Sequence, residues 1–408
     1  MLIIAQIIGT VGVGVAPTIG VLVAEEVTSN EAWAGLARTA STLGAAIFGI
    51  WLGTVAARRG RRVALATGWL TAASGSALLV FAAQQSLIVP LFVGLLLIGA
   101  GSAASLQSRF AATDLAEPQS KARSLALVVW VGTIGSVLGP NLGVPGKIVG
   151  SATGLNVFSS SFLIAGVFLA LAGVVIFFTL RPDPLLTLEQ STHRSAARPR
   201  TGFTDRLRQA KTEIQTNELA KTAVIAIVTA QIVMVAIMTM TPIHISHQGG
   251  SIELVGITIS LHVAGMYALA PLVGWITDKA GHRASITVGI LVLMASLVMG
   301  VFWPEDMNWL VANLILLGVG WSFINVAGSA LFSAVVPAET RAASQGGVDA
   351  MSNLSGATAA FLAGPLLALT NFSVLSVLGM VFLIPLSIIV ATRKTQFSPT
   401  SLVGTVGD

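Results

Sequence analysis

The chain has no cysteine, a single tyrosine, and charged side chains at only 10% of its 408 positions. The absence of cysteine excludes disulfides and thiolate metal sites. The scarcity of charge excludes an ordinary soluble domain, in which about 25% of residues are charged. Several catalytic signatures are missing too. There is no G-x-x-x-x-G-K-[ST] phosphate loop, no H-E-x-x-H or other paired His/carboxylate metal spacing, and no G-x-S-x-G nucleophile turn. The chain therefore reads as a protein that is not an enzyme, needs no cofactor and holds no metal. Any work it does on a solute must draw on an ion gradient or on the solute's own gradient.

What is present is apolar length. Hydrophobic residues make up 54% of the chain. They recur in runs of about 20 residues, each long enough to cross the roughly 30 Å hydrocarbon core as a helix. A helix satisfies its own backbone hydrogen bonds, which lipid cannot do. The runs predict an all-α integral membrane protein with twelve transmembrane helices, at about 2–24, 35–57, 63–83, 87–111, 124–145, 156–180, 222–245, 252–277, 284–303, 308–335, 343–368 and 371–392. The first run shows neither a clear basic leader nor a small-residue cleavage site, so it is expected to be retained as a span. The expected domains are a six-helix bundle at 1–180, a central loop at 181–221, a second six-helix bundle at 222–394 and a tail at 395–408.

Charge sets the expected orientation. With an even number of spans both termini lie on one side. Of the 22 Lys and Arg residues, all but Lys147, Arg38 and Arg109 then fall in loops and tails on that same side, which the positive-inside rule makes cytoplasmic. The opposite loops carry Glu25, Glu26, Glu31, Glu253, Glu305 and Asp306, and Trp33, Trp303 and Trp309 fall at those helix ends, where amphipathic rings prefer the interface. The net charge of +5 thus reflects topology and not nucleic-acid binding. A multi-pass protein of the cell inner (plasma) membrane is expected, a monomer in the lipid bilayer, with a small-molecule substrate. In the central loop, 181–201 reads as a Pro/Ser/Arg-rich tether. Phe203, Leu207, Ala210 and Ile214 recur at helical spacing and predict a surface helix, either part of the tether or a regulatory, lipid-facing element.

The chain also repeats itself. Residues 53–62 read GTVAARRGRR and residues 274–283 read GWITDKAGHR, an offset of 221 between Gly53 and Gly274. Gly99 and Gly318 stand 219 apart, as do Pro118 and Pro337. Two six-helix halves related by duplication are a known route to a transporter with its site at the repeat interface.

On these features the chain resembles the major facilitator superfamily. Members carry a motif G-x-x-x-D-R/K-x-G-R-R/K after the second helix. Gly53, Arg58, Gly60, Arg61 and Arg62 match it, with Ala57 in place of the acid. The second copy keeps Gly274, Asp278, Lys279, Gly281 and Arg283. The resemblance implies alternating access and a gate element at this turn; a basic loop that only fixes topology is the alternative. In the fifth span, Gly135, Gly139, Pro140 and Gly143 resemble the G-x-x-x-G-P-x-x-G-G motif of drug/proton antiporters, with Val144 replacing the last glycine. The resemblance implies proton-coupled efflux of small amphipathic compounds; small-residue packing is the alternative. The arginine often found midway along the fourth helix is absent, and Leu95 stands there.

Ionisable groups inside spans are costly and point to function. Asp349 and His262 are the proton-coupling candidates, since each changes charge on protonation. Each also has a structural alternative, Asp349 as a partner of Arg341 and His262 as a helix-to-helix hydrogen bond. Arg38 with Glu25 or Glu26 is either an outer gate pair or an interfacial group. Gln231, Tyr267, Trp321, Asn325 and Asn353 are the substrate-cavity candidates, with Met234, Met238, Met240 and Met266 as an adaptable wall or as plain packing. A metabolite symporter or uniporter of the same fold is the rival reading, and a non-transporting sensor a more remote one. If the basic turns are gate elements, Asp278→Asn should depress transport more than any substitution at Ala57; normal uptake or efflux by Asp278→Asn at normal expression would reduce these turns to topology.

Overall fold

The computed structural model describes residues 1–114, 121–191 and 203–392, and every element among them is helical. Residues 115–120 and 192–202, the Arg393 and Lys394 bases and the expected tail 395–408 lie outside the described residues, as do the side chains of Lys121, Arg123, Phe203 and Leu207. Among the described residues, ten helical stretches are long and apolar enough to cross a bilayer. One of them, Ala32–Gln84, runs for 53 residues and contains two crossings. A further crossing, from Lys121 to Thr153, is split by a 3-10 turn at Gly139–Leu142, where Pro140 removes a donor. Counted this way the twelve expected crossings are present.

By contact the chain divides into two compact units. One is Met1–Arg198 with Thr241–Ser260; the other is Pro199–Met240 with Leu261–Asp408. The helices Glu218–His247 and Ile252–Tyr267 therefore each pass from one unit to the other. The predicted surface helix forms as Phe203–Thr216. Ala210 is fully buried and Ile214 packs on the same cluster as Leu331 and Phe332.

Lipid tails are as apolar as leucine, so helices in a membrane are held by close packing and not by the hydrophobic effect. Glycines show where that packing is closest. A Cβ on Gly44 would lie 1.9 Å from the Leu96 carbonyl oxygen, and one on Gly99 would lie 2.5 Å from the Ser41 carbonyl oxygen. The helices Ala32–Gln84 and Ile88–Asp114 thus touch backbone to backbone. The second unit repeats the crossing. Gly265 faces the Ile315 carbonyl, and Gly318 faces the His262 carbonyl, where a Cβ would approach to 2.3 Å. The four pairings Gly44/Gly265, Leu96/Ile315, Ser41/His262 and Gly99/Gly318 keep the sequence offsets of 221 and 219. Gly68 against the Ala100 carbonyl and Gly289 against the Gly320 carbonyl form a similar couple, with the partner carbonyl shifted by one residue.

One contact is repeated with different chemistry. Gly75 meets the Gly94 carbonyl in the first unit. At the corresponding place in the second, the Ser296 hydroxyl donates to the Asn313 carbonyl at 2.9 Å.

By contrast, nothing lies within 4 Å of a Cβ built on Gly274, and only the Gln107 amide, at 3.9 Å, approaches one on Gly53. Gly44→Ala and Gly99→Ala are each expected to destabilise the protein by about 2 kcal/mol or more, as overpacking does. Gly53→Ala and Gly274→Ala should be neutral or slightly stabilising. Thermal unfolding in detergent, read by size-exclusion chromatography, compares the four.

Candidate functional site

The motif at residues 53–62 is not a loop. Helix continues through it with one exception, Gly60, whose φ of 86° and ψ of 172° break the chain direction. In the second copy the same role falls to Gly281, at φ 86° and ψ 157°, between the helices Ala270–Ala280 and His282–Phe302. Only these glycines make the turn; positive φ is rare for residues with a Cβ. Gly53 and Gly274 each sit within a helix, seven residues before the break.

A helix that starts at Gly60 exposes its first N–H groups. In the first copy Asp183 covers them. Its Oδ2 accepts from the Arg62 N–H at 2.8 Å, and its Oδ1 from the Arg61 N–H at 3.2 Å. The same carboxylate accepts from the Leu185 N–H at 3.0 Å and so caps the helix Pro184–Ser191. A Cβ on Gly60 would lie 2.3 Å from Asp183 Oδ2, so glycine is required there twice over. Arg61 reaches the other way, its Nε donating to Asp114 at 2.8 Å with both side chains mostly buried. Arg61 and Arg62 also lie over the rings of Phe110 and Phe177. Arg58 and Arg59 are exposed. Ala57 offers no acceptor, and Asp183 and Asp114 supply two from elsewhere in the chain. Asp183 was legible as a helix start, since Asp followed by Pro is an N-terminal signature. Its partner was not.

The second copy is built differently. Asp278 and Lys279 are exposed, and Lys279 lies 4.3 Å from the Trp275 ring centroid. Arg283 donates to the Val390 carbonyl at 2.9 Å, tying this turn to the helix Phe372–Thr392. The Thr277 hydroxyl bridges the turn to Ser285 at 3.0 Å.

In the fifth crossing, Gly135 and Gly139 lie directly on the first helix. A Cβ on Gly135 would meet the Ile7 carbonyl at 2.5 Å, and one on Gly139 would meet Gly14 Cα at 2.6 Å. Gly143 leaves room for Ile252. Just beyond Gly14 the first span has its own break, a π-helical turn at Ala16–Gly20 containing Pro17. Near Pro140 the Val137 carbonyl accepts from the Asn141 amide at 3.1 Å and from the Ser260 hydroxyl at 2.6 Å. Asn141 also donates to Ser260 Oγ.

Of the substrate-cavity candidates, three come together in the second unit. The Trp321 indole N–H donates to Gln231 Oε1 at 2.9 Å, and Tyr267 meets the Trp321 ring edge-on at 5.8 Å. The Gln231 amide also rests on Gly356 of the helix Ala338–Leu369. Asn325, one turn beyond Trp321, accepts from Ser329. Asn353 is exposed and donates to the Asp349 carbonyl. The methionines at 234, 238, 240 and 266 are buried core.

His262 is fully buried, and its Nδ1 donates to the Leu314 carbonyl at 2.7 Å, joining two helices of the second unit. Asp349 is exposed. Arg341 donates instead to the Val336 carbonyl, at 3.1 Å from Nη2. Glu25 is hydrogen-bonded to His247.

The sequence profile of the Major Facilitator Superfamily matches residues 1–253 and, a second time, residues 222–402. The chain belongs to the Major Facilitator Superfamily. It is a multi-pass membrane transporter of a small molecule. Among curated relatives, this major facilitator is 35% identical to the uncharacterized MFS-type transporter YddS of Bacillus subtilis (strain 168), over 93% of its own length and 87% of that protein's. It is 26% identical to the riboflavin transporter RfnT of Brucella anthropi, over 90% and 88%. Among solved structures it shares a fold with the nucleoside transporter NupG, at a TM-score of 0.70 and 14% identity over 96% of each chain.

Asp183→Ala removes the cap of two helices at once. It is expected to lower thermal stability by about 1–3 kcal/mol and to reduce transport at least severalfold, with Asp183→Asn intermediate. Transport and melting temperature equal to the parent in both variants would show that the turn holds without the carboxylate.

Proposed function

We propose that this chain is an inner-membrane secondary transporter, both termini cytoplasmic, that exports small amphipathic compounds in exchange for protons by alternating access. The Gln231–Trp321–Tyr267 cluster carries the reading of the substrate. It presents the Tyr267 ring edge-on to a buried Trp321, one amide and no charge, which suits a flat, apolar or weakly cationic solute and disfavours a polyanion. The glycine–proline face of the fifth crossing supports the efflux reading, and the charge bias of the loops supports the orientation. Asp349 is the better proton carrier of the two candidates. It is exposed 11 residues beyond Ala338 on the helix Ala338–Leu369, about 16 Å along it at 1.5 Å per residue. His262 has its ring fixed inside the helix packing.

A second reading is favoured by one observation, the likeness to a protein named as a riboflavin transporter over 90% of this chain. A flat heteroaromatic metabolite moved by symport or uniport would use the same aromatic–amide cluster. Proteoliposomes separate the two. Substrate flux opposed to a proton flux, lost in Asp349→Asn while substrate exchange persists, is the expected result. Riboflavin counterflow with no linked proton movement favours the second reading. Asp349→Asn and His262→Ala that both leave pH-driven transport intact would remove the coupling assignment.

A further inference from the structure

The segment Thr241–Ser260 packs within the first unit, although the chain enters it from the second unit and leaves it into the second. It is a tight helical hairpin. The helix Glu218–His247 ends at Gly249, whose φ is 77°, and the Gly249 and Gly250 N–H groups return to the Ser246 and Ile245 carbonyls at 3.0 and 2.8 Å. Ser251 Oγ accepts from the Leu254 N–H at 3.3 Å and starts the next helix. Against this hairpin lies the end of the helix Val21–Thr28, followed by a turn through Ser29, at φ 51°, and by Asn30, which caps Ala32. The two turns border an open cavity of about 540 Å³ whose lining includes Leu22, Glu26, Phe158, Ile252 and Val255.

The His247 imidazole stands between two carboxylates at this cavity. Nε2 is hydrogen-bonded to Glu25, and Nδ1 lies 3.3 Å from Glu31 Oε1. An ionised carboxylate only accepts, so both ring nitrogens are asked to donate, and only imidazolium has two N–H groups. The neutral ring would turn a lone pair toward one of the two carboxylates. The carboxylates sit off opposite nitrogens, so the three groups do not converge on an ion; among the described residues no His, Cys, Asp and Glu group is placed to hold a metal. Other charge at this end comes from Glu26 on the cavity wall, His244 a turn earlier on the same helix, and the Lys147–Glu253 pair, which ties the hairpin's other leg to the helix Gly143–Thr153.

We propose that Glu25, His247 and Glu31 form a proton-binding latch that clamps the 241–260 hairpin to the first unit while the imidazole is charged and releases it when the proton leaves. The sign follows from counting donors. The charged ring can donate to both carboxylates and the neutral ring to only one, so the contact is tightest with the proton bound and loosens when the proton leaves. On the orientation set by loop charge this latch faces the outside, where it would make opening of that end depend on external pH. The assignment does not rest on the efflux reading.

The native absence of cysteine makes the test direct. Val255, 1% exposed on the cavity wall, is replaced by cysteine, and its maleimide labelling in detergent is divided by that of a Gln248→Cys protein, which reports intrinsic thiol reactivity at an exposed site. Between about pH 5.5 and 8 the ratio is expected to rise about fivefold, the size of a partly exposed ion pair. His247→Gln, and separately Glu25→Gln with Glu31→Gln, should make it high and flat, with unchanged elution on size exclusion. A flat ratio in the otherwise native protein overturns the latch, as does an unchanged pH profile in the His247→Gln and double-Gln variants.

Discussion

The structure depends on backbones touching inside a medium that gives side chains no reason to cluster. Where Gly44 meets the Leu96 carbonyl, and Gly265 the Ile315 carbonyl, the helices come as near as main chains allow. Those contacts fix the axial register of each helix pair, because a shift by one residue would drive a Cβ into a carbonyl. Everything else described here hangs on that register. The Gly60 break lies below the first such crossing, within reach of Asp183. In the second unit the same crossing sets the His262 ring against the Leu314 carbonyl. The fifth crossing follows the same logic against the first helix, with Gly139 on Gly14.

The two basic turns show how one backbone geometry tolerates different chemistry. Gly60 and Gly281 share a φ of 86°. Around the first, charge is internal and satisfied: Asp183 on the exposed amides, Asp114 on the Arg61 guanidinium. Around the second, the ions are at the surface and the fixed contact is a guanidinium on a helix-end carbonyl. A carboxylate bound to several N–H groups in a partly buried place holds geometry more firmly than an exposed one, which water screens. The first turn is therefore the stiffer of the two.

Much of the fold was legible because the signals were local. Apolar run length located the crossings, and glycine at fixed offsets exposed the repeat. The helix breaks were harder. A 53-residue helical stretch interrupted by one glycine reads in sequence as two helices and a loop, since Arg58, Arg59, Arg61 and Arg62 look like loop residues although all four have helical neighbours. The polar contacts were least legible. Asp183 lies 121 residues from Arg62, and His247 lies 222 from Glu25. Nothing in a single sequence pairs side chains across such distances. Gln231, Tyr267 and Trp321 were singled out by residue type and depth alone, and they meet. Asn353, chosen on the same grounds, is exposed one turn beyond Asp349 on the helix Ala338–Leu369.

The couple formed by Gly75 with Gly94 and by Ser296 with Asn313 has a consequence for how such a protein can change. In the first unit the contact requires that two side chains be missing. In the second the Ser296 hydroxyl donates to the Asn313 main-chain carbonyl, a bond that needs the serine side chain and no other. A serine at Gly75 would bring its Cβ to 2.8 Å from the Gly94 carbonyl, so the first unit cannot take up that bond without parting its helices. The two halves are alike in backbone, yet the residue that ties one crossing together would force the other apart.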